Sequence, residues 1–375
     1  MERLCLKRTA CRMLGLVAGV CCCMSVGGRA QTLVWEENFN APAVNPHVWV
    51  FETGDGCDKG ICGWGNNELQ YYTNRPENAR IENGNLVIEA RRENMGSKSF
   101  TSARLKTEGK LQFKYGTLEA RIKIPQLANG LWPAFWTLGT VGGVWPQIGE
   151  IDILEMGHSS FLAAGMANRR VGGATHWEHN NNQADYATEY TSPVDLTEDY
   201  HIYKLVWNSQ MIKMYVDDHE FFAFNIAGGA ASDLEEFHHQ HFLLLNLAVG
   251  GNYPSISSPA GITAPLPAKM YVDYLRLYQN AGDELYSSVP LGVEEDKAFA
   301  AGITLYPNPS AGELRLQSAH SLEGAYVRIF DQQGKEVYQS VLKGNRIKLG
   351  NMASGIYTLV LNKDNKLSYK RFVKE

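Results

Sequence analysis

The feature that most limits the fold is a long succession of strand-length segments with nothing of helical length between them. LVIEARRE (86–93), GTLEARIKI (116–124), EIDILEM (150–156), HIYKLVW (201–207), MIKMYVDD (211–218), HFLLLNLAV (241–249) and YVDYLRLY (271–278) alternate or run apolar at strand length. Gly, Asn and Pro punctuate them, and WNSQ (207–210) reads as a tight hairpin. No intervening segment has the period of a crossover helix, so antiparallel pairing is predicted. This much strand needs two packed sheets. The expectation is an all-β sandwich over residues 31–279.

At 375 residues the chain exceeds one ordinary core, which predicts a second, smaller unit. After Gln279 the stretch AGDELYSSVPLGVEEDKAFAAG loses all periodicity, so residues 280–302 read as a linker. Short strands resume in AYVRIFD, KEVYQSV, IYTLVLN and SYKRFVK, which fit a small immunoglobulin-like β-sandwich over 303–375. The net charge of −5 gives no basis for a nucleic-acid partner.

Residues 1–30 read as a secretory signal. Lys7, Arg8 and Arg12 precede an apolar run, and Gly28-Arg29-Ala30 offers a cleavage site. The run is shorter than the roughly 20 residues a membrane-spanning helix needs. Val20, before the Cys21-Cys22-Cys23 cluster, stands where a lipoprotein signal wants a small residue. Removal of this leader would leave Cys57 and Cys62 as the only thiols, and in an oxidising compartment they are expected to pair. Two thiols with no neighbouring His fall short of a zinc set.

The chemistry concentrates in GEIDILEM (149–156), where Glu150, Asp152 and Glu155 are spaced two and then three apart. A regular strand would turn Glu155 into the core, where an unpaired carboxylate is costly. One extra residue, a β-bulge near Ile153-Leu154, returns it to the face of the other two. The outer Cα atoms would lie roughly 13 Å apart, and glutamate side chains can lean together to the about 5–5.5 Å of a retaining glycosidase. One carboxylate would attack an anomeric carbon while the other, protonated, serves the departing oxygen. Asp152 between them would fix a neighbouring carboxyl and raise a partner's pKa. The competing reading is a solvated acidic strand. Trp132, Trp136 and Trp145 crowd the acids, and indoles suit the apolar faces of sugar rings.

GWGNNELQYYT, YGTLEARIKI, GLWPAFWTLG, WPQIGEIDILEM, NLAVGGNYP and MYVDYLRLYQ resemble glycoside hydrolase family 16, and within it the laminarinase branch of endo-β-1,3-glucanases. The resemblance implies a concanavalin-like β-jelly-roll with an open cleft, a retaining mechanism and a β-glucan substrate. It implies that Glu150 is the nucleophile, Glu155 the acid/base, and Asp152 the residue that assists Glu150. It also implies that Trp132, Trp136 and Trp145 line the donor side, and that Asn66, Glu68 and Arg104 contact sugar hydroxyls. His176 would lie near the leaving group. The alternatives stay open: core packing for the indoles, a capped loop for Asn66 and Glu68, an ion pair for Arg104. No cofactor is needed for catalysis. Family members often carry a structural calcium ion, here expected near Glu37, Gly84 and Asp273, with Asn38 in place of a carboxylate.

LYPNPSAGELRL, VRIFDQQGKEV, LGNMASGIYTLVL and YKRFVKE resemble the C-terminal sorting domain of type IX secretion. That implies the secretion machinery as a partner and an extracellular or outer-membrane-surface location. A monomer is expected. Mixed-linkage β-1,3-1,4-glucanase, galactan hydrolase and non-catalytic glucan-binding protein are the rival functions.

Overall fold

The computed structural model describes residues 31–141, 143–287, 297–331, 336–350, 352–363 and 366–375. The leader expected at 1–30 and the central part of the expected linker lie outside them. Two large sheets carry residues 31–287. In the first, the strand order is His219–Asn225, Met211–Val216, His201–Trp207, Gly116–Lys123, Ala268–Gln279, Asn85–Met95, Lys98–Ser102, Gln70–Tyr72. In the second it is Asn182–Thr191, Arg170–His179, Glu150–Glu155, Leu131–Gly139, His241–Val249, Arg104–Lys106, Val50–Glu52.

Alternation explains how these strands pack. In Gly116–Lys123 every second residue is buried, so Leu118, Ala120 and Ile122 enter the core while Thr117, Glu119 and Arg121 face outward. Leu243, Leu245 and Leu247 of the second sheet join them in one hydrophobic cluster with Phe135 and Ile151. The strand His241–Val249 is buried at every position, which accounts for its unbroken apolar run. The predicted hairpin is present: Asn208 N–H donates to the Met211 carbonyl, and the Asn208 side chain accepts from Gln210 and Met211.

Three features depart from the sequence reading. The first sheet is not wholly antiparallel, because Gln70–Tyr72 pairs with Phe100–Ser102 in parallel. Glu284–Ser287, inside the stretch read as linker, is a strand paired with Leu111–Lys114. The long hairpin formed by Arg170–His179 and Asn182–Thr191 has no signature in the sequence, since its exposed outer strand carries no apolar alternation. Cys57 and Cys62 are disulfide-bonded, with Cα atoms 4.0 Å apart.

The C-terminal segment has its own hydrophobic cluster, which includes Leu314, Leu316, Ile329, Leu359, Leu361 and Phe372. Three strands, Ile303–Tyr306, Glu313–Ser318 and Arg346–Lys348, form one sheet; Glu336–Val341, Tyr326–Phe330, Gly355–Lys363 and Lys366–Lys374 form the other. Two small sheets around one core make the expected β-sandwich.

Candidate active site

The strand Glu150–Glu155 carries the predicted bulge. Against Leu131–Gly139, Leu154 and Asp152 oppose the consecutive residues Phe135 and Trp136, which leaves Ile153 as the extra residue. Against Arg170–His179 the register shifts at the same place. Ile151, Ile153, Leu154 and Met156 all enter the core. Opposed residues share a face, and Glu155 opposes Ala134 and Gly172, Asp152 opposes Trp136 and Ala174, Glu150 opposes Leu138 and His176. Because 134, 136 and 138 alternate regularly, as do 172, 174 and 176, the three acids point the same way.

The rows run on across the sheet. From Glu155 one row passes through Ala134, Asn246 and Arg104 to Glu52, and in the other direction through Gly172 to Glu189. The floor is therefore rich in polar side chains on one side, while on the other Gly172 lies beneath the Tyr253 hydroxyl.

Indole N–H groups hold both glutamates. Trp132 Nε1 donates to Glu155 Oε1 at 2.9 Å, and Trp145 Nε1 donates to Glu150 Oε2 at 2.9 Å. His176 Nε2 stands 3.2 Å from Asp152 Oδ2. Burial raises all three carboxyls. It pushes Glu150 up to about 8, helped by the Asp152 charge and opposed by His176 and the Trp145 N–H. It pushes Asp152 up to about 7, opposed by a hydrogen bond with Glu150. Glu155 rises well above the usual carboxylate range, from burial first and then from the charge on Asp152, against the pull of the Trp132 N–H. Three acids crowded on one face cannot all ionise together, so one stays protonated near neutrality.

The indoles do not share one side. Trp132 stacks on Tyr253, with ring centres 4.8 Å apart and planes 11° from parallel, whereas Trp145 lies beside His176 at 6.2 Å. Trp136 donates to Asn246 Oδ1 at 2.7 Å. The Arg104 guanidinium packs against the Trp136 and Trp64 rings, at 4.8 and 4.9 Å, and Nε lies 2.7 Å from Glu52 Oε2. Burial alone would raise Glu52, but Arg104, Lys59 and Lys106 more than offset it and hold the carboxyl at about 2. Arg104 is thus both an ion-pair partner and a wall of the polar side.

Glu68 is buried, 3% exposed, and turned toward Gln70 and Tyr72 rather than toward solvent, which does not suit the expected sugar contact. Asn66 is half-buried, and its carbonyl accepts from Asn252 N–H. Asn246 and Tyr253, both in NLAVGGNYP, add to the residues expected from sequence; the signal for the first is an Asn amid an apolar strand. For calcium, Asp273 Oδ2 accepts from Arg121 at 2.7 Å and Glu37 accepts from Phe39 N–H at 3.2 Å. A cation there would compete with Arg121, so these side chains do not form a ready cage for the six to eight oxygens calcium takes.

Residues 66–231 match the model of glycosyl hydrolases family 16. The beta-glucanase of Rhodothermus marinus is 34% identical over a stretch covering 66% of this chain and 85% of that protein. This chain belongs to glycosyl hydrolases family 16. The laminarinase catalytic domain from Thermotoga maritima MSB8 superposes with a TM-score of 0.58 at 39% identity, covering 67% of this chain and 99% of that one. The clotting factor G alpha subunit of Tachypleus tridentatus is 35% identical over 86% of this chain, which spans only 44% of that relative's length. Another curated relative is spanned over 38% of its length. Residues 304–375 match the secretion system C-terminal sorting domain, which marks this family 16 protein for type IX secretion to the cell surface or beyond.

Proposed function

We propose that the chain is a secreted, retaining endo-β-1,3-glucanase that hydrolyses laminarin-type β-glucans. The observation that carries this reading is the bulged strand with Glu150, Asp152 and Glu155 on one face, each glutamate held by an indole N–H. The similarity to a laminarinase domain and to a beta-glucanase supports the substrate class.

Glu150 attacks the anomeric carbon of the bound glucosyl unit as Glu155 delivers its proton to the departing glycosidic oxygen. The covalent glycosyl-enzyme is then opened by water, whose proton returns to Glu155. Burial holds the Glu155 carboxyl well above the usual carboxylate range, which suits the acid. Glu150 must be ionised to attack, and Asp152 exchanges a hydrogen bond with it, so the two titrate as a pair. The polar row through Asn246 and Arg104 would grip the donor sugars, and the side where Tyr253 covers Gly172 and stacks on Trp132 would take the acceptor.

The test is product analysis on laminarin, lichenan and agarose. Laminari-oligosaccharides of mixed length are expected from laminarin. Cleavage confined to lichenan would make the chain a mixed-linkage enzyme, and cleavage confined to agarose would overturn the glucan assignment.

A second outcome concerns pH. The Asp152 charge raises Glu150, so Asp152→Asn removes that charge and lowers the pKa of Glu150. The acidic limb of the kcat/KM profile should therefore move to lower pH, while kcat falls by roughly 10–100-fold through loss of the positioning hydrogen bond. An acidic limb that stays in place would separate Asp152 from the titration of Glu150.

A further inference from the structure

Glu155 ends its strand, and the group that fixes its carboxyl belongs to a neighbouring one: Trp132 Nε1 donates to Glu155 Oε1 at 2.9 Å. An indole has a single N–H, which lies in the plane of the ring, so the direction of this bond is set by the two side-chain torsions of Trp132. A hydrogen bond weakens steeply once the donor turns away from its acceptor. Whatever holds the indole plane therefore holds the acid.

That plane is held by Tyr253. The two rings stack with centres 4.8 Å apart and planes 11° from parallel, so the phenol ring covers one face of the indole. Tyr253 is braced in turn. Its carbonyl accepts from Ser159 N–H at 3.0 Å. The His158 ring meets the phenol ring edge-on at 4.8 Å and 73°, and Phe161 does so at 6.5 Å and 89°. His158 is itself anchored, since its Nδ1 accepts from Ser160 N–H at 3.2 Å and lies 2.8 Å from Ser160 Oγ. The turn that carries Tyr253 is closed by Gly251 and Ile256, whose N–H groups donate to each other's carbonyls at 2.8 and 3.0 Å. Beneath the phenol lies Gly172, the residue opposite Glu155, where a Cβ would stand 3.0 Å from the hydroxyl. After Glu155 the chain thus turns at Gly157 and returns through His158 and Phe161 to the ring that steadies the partner of the acid.

We propose that Tyr253 is a positioning residue for Glu155, which holds the Trp132 indole in the plane that aims its N–H at the carboxyl and so keeps the acid aligned with the departing glycosidic oxygen. The inference rests on the retaining-glucanase reading given above. It differs from a platform for sugar, because the stacked face of Tyr253 is already taken by Trp132.

The experiment uses the full chain and two substrates of one shape, phenyl and dinitrophenyl β-laminaribioside. Phenolate needs a proton in order to leave and dinitrophenolate does not, so the ratio of their kcat/KM values reads the acid alone. Tyr253→Ala should shift that ratio roughly ten-fold against the phenyl substrate, the scale of a misplaced catalytic group. Tyr253→Leu, which keeps bulk without a flat face, should do the same. Tyr253→Phe keeps the ring and should restore most of the ratio. Trp132→Phe leaves a ring to stack but no N–H; it should shift the ratio alike, and Tyr253→Ala added to it should shift it little further. Equal losses on both substrates would overturn the inference, because lost sugar contact or a weakened fold would act on both. So would a Tyr253→Phe ratio as poor as that of Tyr253→Ala, or full additivity with Trp132→Phe. If the parent cleaves neither glycoside, it is the proposed function that fails, and the two failures are distinguishable.

Discussion

Replacing Glu150 by Gln is expected to lower kcat on laminarin by about 10⁴-fold or more, as loss of a covalent nucleophile does in other hydrolases. The fold should survive, since the amide fills the same space and can still accept from Trp145 Nε1. Glu155→Gln should cost on the order of 10²–10⁴-fold on the polysaccharide. The two variants should then part company on an activated aryl glycoside. Its leaving group departs without a proton, so Glu155→Gln should retain the first step while Glu150→Gln should not. Azide added to Glu150→Ala would fill the vacated carboxylate space and attack from the same side, giving a glycosyl azide of inverted configuration. Reducing-sugar release by Glu150→Gln equal to that of the parent would remove catalysis from this strand altogether, and a glucan-binding role would take its place.

The acid row was legible because burial is so expensive for a lone carboxylate. Glu155 out of phase with Glu150 left either a buried charge or a bulge, and the register around Ile153 has the bulge. Regular strands were legible for a related reason: Gly116–Lys123, His201–Trp207 and His241–Val249 each bury residues at the period that their sequence displays, or run apolar because both faces are covered. What escaped were features set by partners distant in sequence. Asn182–Thr191 is a strand only because Arg170–His179 lies beside it, and its own residues are mostly exposed. Glu284–Ser287 looked like linker because four residues without alternation become a strand only when Leu111–Lys114 offers an edge. Glu68 was placed against sugar by resemblance, whereas Gln70 and Tyr72, two and four residues on, turn its carboxylate inward. Nor could the spacing of Trp132, Trp136 and Trp145 reveal that a loop carries the last of them to the His176 side.

Gly157→Ala is expected to destabilise the protein by about 3 kcal/mol or more, the range in which strain and displaced backbone combine. Gly157 has a φ of +94°, which an L side chain rarely adopts, and a Cβ there would lie 2.1 Å from the Leu131 carbonyl oxygen. Neither partner can yield cheaply. Leu131 begins the strand that carries Trp132, and Met156 N–H already reaches the Pro133 carbonyl at 3.4 Å. For a cooperative unit of about 250 residues the loss corresponds to a fall in Tm of roughly 6 °C. Gly165→Ala supplies the control, because Gly165 also has positive φ, +66°, but a Cβ would meet nothing within 4 Å. It should cost only about 1 kcal/mol, the conformational part alone. The difference between the two isolates the close approach of backbones. That approach also sets the distance between Glu155 and Trp132, so Gly157→Ala should lower kcat by up to about 100-fold, as ångström-scale misplacement does, while Gly165→Ala leaves it unchanged. Equal Tm shifts for the two variants would mean that the Leu131 contact contributes nothing and that the Glu155 end of the strand is held by its hydrogen bond to Trp132 alone.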